Sequence, residues 1–470
     1  MDHGHTIAAI ATPPGQGAIA VIRLSGEKSF EICEKVFHPA DSGPPLTERG
    51  ANTIHYGRIH DNGEIVDEVL LALFHSPRSY TGEDVAEISC HGSVYLQQKI
   101  LKLLLDNGAV LAKPGEFTKR AFLNGKMDLS QAEAVADLIA SESAAFHKVA
   151  LKQMRGGFSE EISALRQRLL DFISLVELEL DFSEEDVEFA DRNELQSLLA
   201  SISGVLESLT GSFAFGNVLK NGIPVVIAGK PNVGKSTLLN ALLREEKALV
   251  SEIPGTTRDS IEDVIHLEGV SFRFIDTAGL RETTDTVEVM GIRRTMEKVK
   301  QASIILLMVE AADTRKHINH LIDGLLSKSG FADKKMVLLL NKADLLPDNG
   351  QRIPYQKSDF PPLREQDHII EISAKTNSGL DRLRSLLVSI IQQEKPGENE
   401  IIVTSMRHYH ALKNAHEAVL RASEGLKYQL PGDLLAMDIR EVLHYLGEIT
   451  GEITTDEILG NIFKNFCIGK

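Results

Sequence analysis

Residues 229–237 have the types and spacing of a loop that binds nucleotide phosphates. The segment lies between apolar runs at 223–228 and 238–242, which predicts a strand, a tight turn and a helix. Backbone N–H groups of such a turn surround the β-phosphate, and the helix N-terminus adds partial positive charge. We expect Lys235 to reach the β- and γ-phosphates and the Ser236 hydroxyl to hold Mg²⁺. The residues assigned to the nucleotide in this loop are Asn232, Val233, Gly234, Lys235, Ser236 and Thr237.

A second stretch at a suitable distance, Asp276-Thr277-Ala278-Gly279, follows the apolar run 272–275. Asp276 at a strand end can hold Mg²⁺ through water, and the Gly279 N–H can reach the γ-phosphate. A glycine-rich β-turn would explain residues 229–237 alone. It does not explain three further stretches at suitable distances, of which residues 276–279 are the first, so we set the plain turn aside.

Two further stretches indicate which base is bound. Asn341-Lys342-Ala343-Asp344 follows an apolar run at 336–340, and Ser373-Ala374-Lys375 follows another at 369–372. The Asp344 carboxylate can accept hydrogen bonds from the N1–H and the 2-amino group of guanine, which adenine does not offer. We expect residues 373–375 to close over the base. The four stretches together predict a guanine-specific P-loop domain.

The elements around these stretches indicate an α/β domain from 221 to 393, because its apolar runs alternate with helical patterns. We expect a Ras-like, doubly wound and mostly parallel sheet. Residues 1–118 form an α/β domain, with strands at 7–11, 18–24, 68–74 and 85–90 and a helix at 94–105. Residues 119–220 and 394–470 show helical spacing and form one bundle, into which the GTPase domain is inserted.

Composition limits the class of protein. A chain of 470 residues with 43% hydrophobic content is long enough for about three folded domains. Three cysteines cannot form a disulfide framework, and the N-terminus lacks a secretory h-region, so we expect a cytoplasmic protein. The apolar runs noted, such as 304–309, fall short of about 18 residues, so no membrane association is expected. A net charge of −17 argues against broad nucleic-acid affinity.

The whole chain resembles the MnmE (TrmE) family of tRNA-modification GTPases. The similar stretches lie outside the nucleotide loops, at residues 12–15, 81–84, 114–117 and 120–126, and in the closing Cys467-Ile468-Gly469-Lys470. The resemblance implies a homodimer joined through an N-terminal domain that binds 5-formyl- or 5,10-methylene-tetrahydrofolate. It also implies a heterotetramer with the FAD protein MnmG (GidA). The two proteins together would add a carboxymethylaminomethyl or aminomethyl group to C5 of the tRNA wobble uridine.

The same resemblance assigns residues to the folate site, namely Arg23, Glu87, Lys126 and Lys470. A folate carries a glutamate tail that needs cations and a pterin whose N–H groups need a carboxylate, so these residue types are compatible. Cys467 has two interpretations. It is either a thiol that assists the one-carbon transfer, next to a cation such as Lys470, or a small buried hydrophobe that anchors the tail.

Hydrolysis needs groups other than the glutamine of Ras-like GTPases, because Leu280 occupies that position. The family resemblance implies a K⁺ ion beside the phosphates, held by Asn232, Ser251, Ile253 and Thr256. It further implies Mg²⁺ coordination by Thr257 with Ser236, and a water-positioning role for Glu288, which could instead be a helix-start glutamate. The residues assigned to catalysis are Glu288, Lys235 and Cys467. The segment assigned to GTP here is Ser251, Glu252, Ile253, Pro254, Gly255, Thr256 and Thr257.

Two other functions fit parts of the sequence. A regulatory GTPase of ribosome assembly would share the phosphate loop and Leu280. A scaffold that binds GTP without useful turnover would share the loop alone. Neither explains the C-terminal Cys-Ile-Gly-Lys stretch or the N-terminal domain, so a GTPase of tRNA modification is the leading interpretation.

Overall fold

The computed structural model describes residues 4–181, 192–247, 263–275, 301–327, 334–346, 355–392, 401–464 and 466–469. The chain divides into two compact units. One contains Met1–Ala140, Ala150–Leu206 and His410–Lys470, and the other contains Ser141–Val149 and Glu207–Tyr409. The nucleotide domain therefore interrupts the first unit, as the sequence predicts. The domain boundaries at 118, 220 and 393 stay predictions.

The N-terminal part of the first unit is built on a sheet of seven strands. Side chains alternate between the two faces of the sheet. Along the fifth strand (Glu64–Phe74) Asp67, Val69, Leu71 and Leu73 are therefore buried, while the residues between them are more exposed. The strands are β1 (Ile7–Ile10), β2 (Ile19–Ser25), β3 (Phe37–Pro39), β4 (Thr53–Asp61), β5 (Glu64–Phe74), β6 (Val85–His91) and β7 (Val110–Leu111). Their order in the sheet is β3-β4-β5-β6-β2-β1-β7.

Helices α1 (Ser29–Glu34) and α2 (Val94–Asp106) cover one face of this sheet. On the other face, Ile7 and Ala9 of β1 pack against Phe117 of α3 (Glu116–Leu123). The four predicted strands and the predicted helix are confirmed, with small differences at their ends. The sequence analysis missed β3, β4 and β7, because β3 and β7 are very short and β4 is rich in polar residues.

The remainder of the first unit is helical, as predicted. Apolar residues at helical spacing, among them Leu165, Leu169 and Phe172 and later Leu199 and Ile202, are buried. Helix α6 (Gly157–Asp181) packs against helix α12 (Gly432–Thr450), so elements from both sides of the inserted domain share one core. The helices that lie wholly or partly in this unit are α4 (Leu129–Ile139), α5 (Ala144–Met154), α6 (Gly157–Asp181), α7 (Arg192–Asn221), α11 (Met406–Lys427), α12 (Gly432–Thr450) and α13 (Asp456–Phe463). Parts of α5, α7 and α11 belong to the second unit.

Helix α7 is the one helix of the described residues that is long and apolar enough to cross a membrane by length and composition. A core helix of a soluble protein meets the same two criteria. Its residues Leu199, Ile202 and Leu206 have no exposed surface, and 33% of its apolar 18-residue window is buried.

The second unit is an α/β domain with a sheet of six strands. The strands are β8 (Ile223–Ala228), β9 (Asp263–Leu267), β10 (Val270–Phe274), β11 (Ile304–Glu310), β12 (Lys335–Asn341) and β13 (His368–Glu371). Their order is β13-β12-β11-β8-β10-β9, parallel except for β9 against β10. The helices with described bounds are α8 (Lys235–Lys247), α9 (Arg315–Leu326) and α10 (Leu380–Gln392). Two hydrophobic clusters cover opposite faces of the sheet, which confirms the doubly wound prediction.

The α6–α12 core should respond to truncation of a buried side chain. Ile439 on α12 has no exposed surface, whereas Met437 two residues earlier is 64% exposed. We expect Ile439→Ala to destabilise the first unit by roughly 2–5 kcal/mol and Met437→Ala by less than about 0.5 kcal/mol. Urea unfolding followed by circular dichroism measures both. Equal losses for the two variants would contradict the packing of α12.

Candidate functional site

The carboxyl ends of parallel strands bring three of the predicted nucleotide stretches to one edge of the second sheet. In the strand register Ala228 lies beside Leu307, Glu310 beside Asn341, and Leu340 beside Glu371. The loops that follow β8, β12 and β13 therefore start at the same edge, where open α/β sheets bind their ligands.

The backbone of the phosphate loop requires its two glycines. Gly229 has φ +153°, and a Cβ there would lie 2.3 Å from the Met308 carbonyl oxygen. Gly234 has φ +101°, and a Cβ would lie 2.4 Å from Nδ2 of Asn341. Asn232 between them also has a left-handed backbone, with φ 62°, which asparagine tolerates better than most residues. The loop thus has a tightly turned backbone, with positive φ at Gly229, Asn232 and Gly234.

Lys235 opens α8 and folds back over the loop. Its ammonium group donates to the carbonyl oxygens of Gly229 at 2.8 Å and Lys230 at 2.7 Å. Burial lowers the pKa of this ammonium group. A phosphate in the loop would meet this positive charge together with the N-terminus of α8. Ser236 and Thr237 follow in the first turn of the helix, the first partly buried and the second exposed.

Asn341 joins the three loops. Its side chain is buried, with Nδ2 donating to the Val233 carbonyl oxygen at 2.6 Å. Its Oδ1 accepts a hydrogen bond from the Ala374 N–H at 3.0 Å. One amide group therefore connects the phosphate loop with the stretch predicted to close over the base.

The remaining residues of the two stretches that are predicted to meet the base follow β12 and β13 at this edge. Lys342 has φ 63° and its ammonium group pairs with Glu310, while the Ala343 N–H donates to the Ile372 carbonyl oxygen at 3.1 Å. Asp344 and Lys375 are exposed. Ser373 is buried and closes the 373–378 turn through its N–H to the Ser378 carbonyl oxygen at 2.9 Å.

Part of the predicted site lies outside the described residues. This holds for Ser251, Glu252, Ile253, Pro254, Gly255, Thr256, Thr257, Asp276, Thr277, Ala278, Gly279, Glu288 and Lys470. Their roles stay predictions.

The N-terminal sheet brings two of the predicted folate residues together. Arg23 on β2 and Glu87 on β6 are cross-strand neighbours, and the Arg23 Nε donates to Oε1 of Glu87 at 2.7 Å. The Arg23 guanidinium carbon lies 5.4 Å from the ring centre of Tyr80 and 5.7 Å from that of Phe117. Such contacts fix a planar cation in one orientation. The sequence analysis missed both aromatic residues, although Phe117 lies within one of the stretches that carry the family resemblance and Tyr80 directly precedes another.

Lys126 lies elsewhere on this domain. Its ammonium group donates to the Pro77 carbonyl oxygen at 2.9 Å, so it packs against the segment that also carries Tyr80.

The stretches 81–84 and 120–126 have a structural role that the sequence analysis did not assign. Buried Arg120 bonds both carboxylate oxygens of Glu83 at 3.1–3.2 Å, and Ser25 Oγ donates to Glu83 at 2.6 Å. This network fastens α3 to the sheet.

The C-terminal tail packs on the same domain. The Gly115 N–H donates to the Cys467 carbonyl oxygen at 3.3 Å. Gly469 has φ +97°, and a Cβ there would lie 2.3 Å from the Ile10 carbonyl oxygen, so only glycine allows this approach. The Cys467 side chain is exposed, so its interpretation as a small buried hydrophobe is wrong. Glycines and main-chain contacts, with Phe463 and Phe466, anchor the tail instead.

The three cysteines should differ in reactivity. Burial raises the pKa of the Cys33 thiol to about 12 and that of the Cys90 thiol to about 11, whereas Cys467 is exposed. Because the thiolate is the nucleophile, we expect iodoacetamide at pH 8 to label Cys467 in the native protein and to spare the other two. Peptide mass spectrometry identifies the sites, and unfolding in urea should expose all three. Labelling of Cys33 in the folded chain would contradict the N-terminal core.

Asn341 should matter for nucleotide affinity through both of its hydrogen bonds. Asn341→Ala leaves the Val233 carbonyl oxygen and the Ala374 N–H unpaired, which should weaken binding of a fluorescent GDP analogue roughly 100-fold. Asn240→Ala, at an exposed position on α8, is the matched control and should change the affinity less than about twofold. Unchanged affinity in the Asn341 variant would show that the loops hold their positions without this bridge.

Comparison with known proteins gives the family. The model described as the GTP-binding protein TrmE N-terminus matches residues 6–126, and the MnmE helical domain matches residues 129–467. The FeoB G domain of Methanococcus jannaschii matches 36% of this chain and 98% of its own, at 22% identity and a TM-score of 0.26, which is too low to support an argument.

Curated relatives match over nearly the full length. The tRNA modification GTPase MnmE of Bacteroides thetaiotaomicron is 51% identical over 466 residues, which is 99% of each chain. The protein of the same name from Cytophaga hutchinsonii is 53% identical over 471 residues, covering 100% of this chain and 98% of its own. That of Christiangramia forsetii is 52% identical and covers 100% of both. The resemblance seen in the sequence is confirmed, and the chain belongs to the MnmE family.

Proposed function

We propose that this chain is a GTPase of tRNA modification that hydrolyses GTP to GDP and phosphate. The observation that carries the proposal is the Asn341 bridge, which assembles the phosphate loop and the base-binding stretches at one sheet edge. The names of its relatives, tRNA modification GTPase MnmE, support the same function.

The described residues provide groups that can bind the phosphates and the guanine base of GTP. Lys235 and the N-terminus of α8 supply positive charge where the β- and γ-phosphates would lie. Asp344 is free to accept hydrogen bonds from guanine, and Lys375 flanks the base. Ser236, with Thr257 and Asp276, would hold Mg²⁺, which neutralises charge on the phosphates when it is bound.

We further propose activation by K⁺ and by pairing of two nucleotide domains. Asn232 is exposed, and its side chain makes no hydrogen bond with the described residues. An uncharged amide oxygen at this point of the loop is a suitable ligand for a hard cation. Ser251, Ile253 and Thr256 would supply the other oxygens, and Glu288 would position the attacking water in place of the glutamine that Leu280 replaces. The cation adds positive charge beside the transferred phosphate.

The N-terminal domain is proposed to hold 5-formyl- or 5,10-methylene-tetrahydrofolate. The arrangement of Arg23 fits this ligand, because its Nε is used by Glu87 while Nη1 and Nη2 make no hydrogen bond with the described residues. A guanidinium edge of this kind can bind a carboxylate in a bidentate manner. Lys126, Cys467 and Lys470 are the other residues proposed for the site, with the one-carbon unit carried by the folate.

The proposed assembly is a cytoplasmic homodimer joined through this domain, in a heterotetramer with MnmG. An apolar patch supports the dimer, since Ile54, Tyr56 and Leu70 on β4 and β5 are 47–68% exposed. The net charge of −17 favours contact with tRNA that is local or provided by the partner. The product would be a wobble uridine with a carboxymethylaminomethyl or aminomethyl group on C5.

Steady-state GTP hydrolysis in KCl and in NaCl at equal ionic strength tests the cation site. We expect K⁺ to raise the rate at least about tenfold over Na⁺, because one added charge stabilises the transition state by more than about 1.4 kcal/mol. Asn232→Gly removes the amide and keeps a residue that tolerates φ 62°, so it should lose the K⁺ response and retain GDP binding.

Equal wild-type rates in the two salts would remove the K⁺ proposal and leave the GTPase in place. No hydrolysis in either salt would favour a scaffold that only binds GTP. If the protein hydrolyses GTP but neither binds tetrahydrofolate nor supports uridine modification, the result would favour a regulatory GTPase of ribosome assembly.

A further inference from the structure

A lysine and a glutamate form an ion pair at the edge where the second sheet meets the nucleotide loops. Glu310 is the last residue of β11, Lys342 directly follows β12, and the register places Glu310 beside Asn341. The ammonium group of Lys342 donates to Oε1 of Glu310. The Lys342 side chain is 33% exposed and that of Glu310 is 39% exposed, so both charges are partly buried. The proposed function assigns no role to Glu310.

The backbone fixes the point from which the Lys342 side chain starts. Lys342 has a left-handed conformation, with φ 63° and ψ 32°. This conformation is unfavourable for a residue with a Cβ, and residues held in it concentrate at binding sites. The preceding carbonyl oxygen, of Asn341, accepts from the Ala311 N–H at 2.7 Å. The following N–H, of Ala343, donates to the Ile372 carbonyl oxygen at 3.1 Å. Hydrogen bonds on both sides therefore hold the lysine in place.

The backbone at Glu310 is held as well. Its carbonyl oxygen accepts from the Asp313 N–H at 2.9 Å, which closes a turn after β11. The next carbonyl oxygen, of Ala311, accepts from the Tyr355 hydroxyl at 3.0 Å. The carboxylate is thus anchored on a fixed strand end, and the Lys342 side chain must run from its own Cα to that carboxylate.

The neighbours of the pair indicate how it would meet a base. Asp344, two residues after Lys342, is the residue proposed to accept hydrogen bonds from guanine. The N1–H and 2-amino groups of guanine lie in the plane of the ring, so a carboxylate that binds them contacts the edge of the base and leaves its faces open. The face of an aromatic ring is apolar and attracts a cation. A lysine side chain offers an apolar stem and an ammonium group together.

We propose that Glu310 is a positioning residue for the nucleotide, which holds the Lys342 side chain across one face of the guanine base. The inference rests on the proposed binding of a guanine nucleotide at this edge. A lysine has a flexible four-carbon stem, so without the carboxylate its ammonium group would turn to water and the stem would leave the base. With the pair formed, the lysine loses less side-chain freedom when the nucleotide binds.

Substitution of Glu310 separates positioning from a plain effect of charge. GDP is an anion, so removal of a nearby negative charge would by itself strengthen its binding. Positioning predicts the opposite. We expect Glu310→Gln to raise the dissociation constant for a fluorescent GDP analogue about tenfold, mainly through faster dissociation, which stopped-flow fluorescence measures. Asp313→Asn is the matched control, because it removes the same charge from the same loop and leaves the pair intact. It should change the dissociation constant less than about twofold.

A second substitution tests whether Glu310 acts through Lys342. Lys342→Met keeps an unbranched side chain and removes the ammonium group. In this background the carboxylate has no lysine to hold, so Glu310→Gln should no longer weaken GDP binding. In the otherwise wild-type chain, Glu310→Gln should weaken binding of inosine diphosphate, which lacks the 2-amino group, by the same factor as GDP, because the stem covers the face and not the edge. An equal loss in both backgrounds, or a loss for GDP only, would overturn the inference.

Lysine footprinting on the full-length wild-type protein gives a readout that does not depend on any variant. Acetic anhydride acetylates exposed amines, and peptide mass spectrometry measures the rate at each lysine. We expect GDP with Mg²⁺ to slow acetylation of Lys342 about tenfold, because a bound ligand covers most of the surface that it contacts. Lys235 should be protected too, since it would face the phosphates. Lys413 on α11 is 56% exposed, and its rate should not change.

The outcomes separate this inference from the function on which it rests. Failure of the wild-type protein to bind GDP, or to protect Lys235, would refute the nucleotide site itself, and the inference would fall with it. Protection of Lys235 without protection of Lys342 would overturn the role of Glu310 and leave the proposed function intact. Unchanged or tighter GDP binding in a Glu310→Gln variant with the circular dichroism spectrum of wild type would have the same meaning.

Discussion

The two hydrogen bonds of the Asn341 side chain hold the nucleotide site together. A buried amide must have its partners, and loss of either one leaves a polar group unpaired at a cost of roughly 1–3 kcal/mol. Here the two partners are backbone groups of loops that follow different strands, Val233 after β8 and Ala374 after β13. Because the strands are parallel, their carboxyl ends already meet at one edge. The amide then fixes the loops relative to one another. Gly234 allows this arrangement, because a side chain at that position would collide with Nδ2 of Asn341.

In the N-terminal domain, ion pairs and aromatic contacts position the charged groups. Arg23 and Glu87 pair across two strands, and two aromatic rings hold the guanidinium in place. The buried Arg120–Glu83 network fastens the helix that carries one of those rings. Gly469 lets the end of the chain approach β1 at a distance that no other residue would allow. Helices that precede and follow the inserted domain in the chain belong to the same unit as this sheet.

The sequence predicted best what depends on neighbours in the chain. The phosphate loop, the buried strands before each nucleotide stretch and the helical spacing around Leu165 and Leu199 are local patterns, and the structure confirms them. Edge strands such as β3 and β7 carry too few residues to give an alternating pattern. The contacts of Arg23 with Tyr80 and Phe117 join residues 57 and 94 positions apart, and no local pattern indicates them. The exposure of Cys467 likewise follows from backbone packing of the tail rather than from residue type.

The central claim is that the edge formed by β8, β12 and β13 binds a guanine nucleotide. Calorimetric titration of the purified chain with GDP and, separately, with ADP in the presence of Mg²⁺ tests it most directly. We expect one GDP to bind per chain and ADP to bind at least about 1,000-fold more weakly, because the Asp344 carboxylate would face an adenine edge without matching donors. Equal affinity for the two nucleotides, or no binding of GDP, would contradict the assignment.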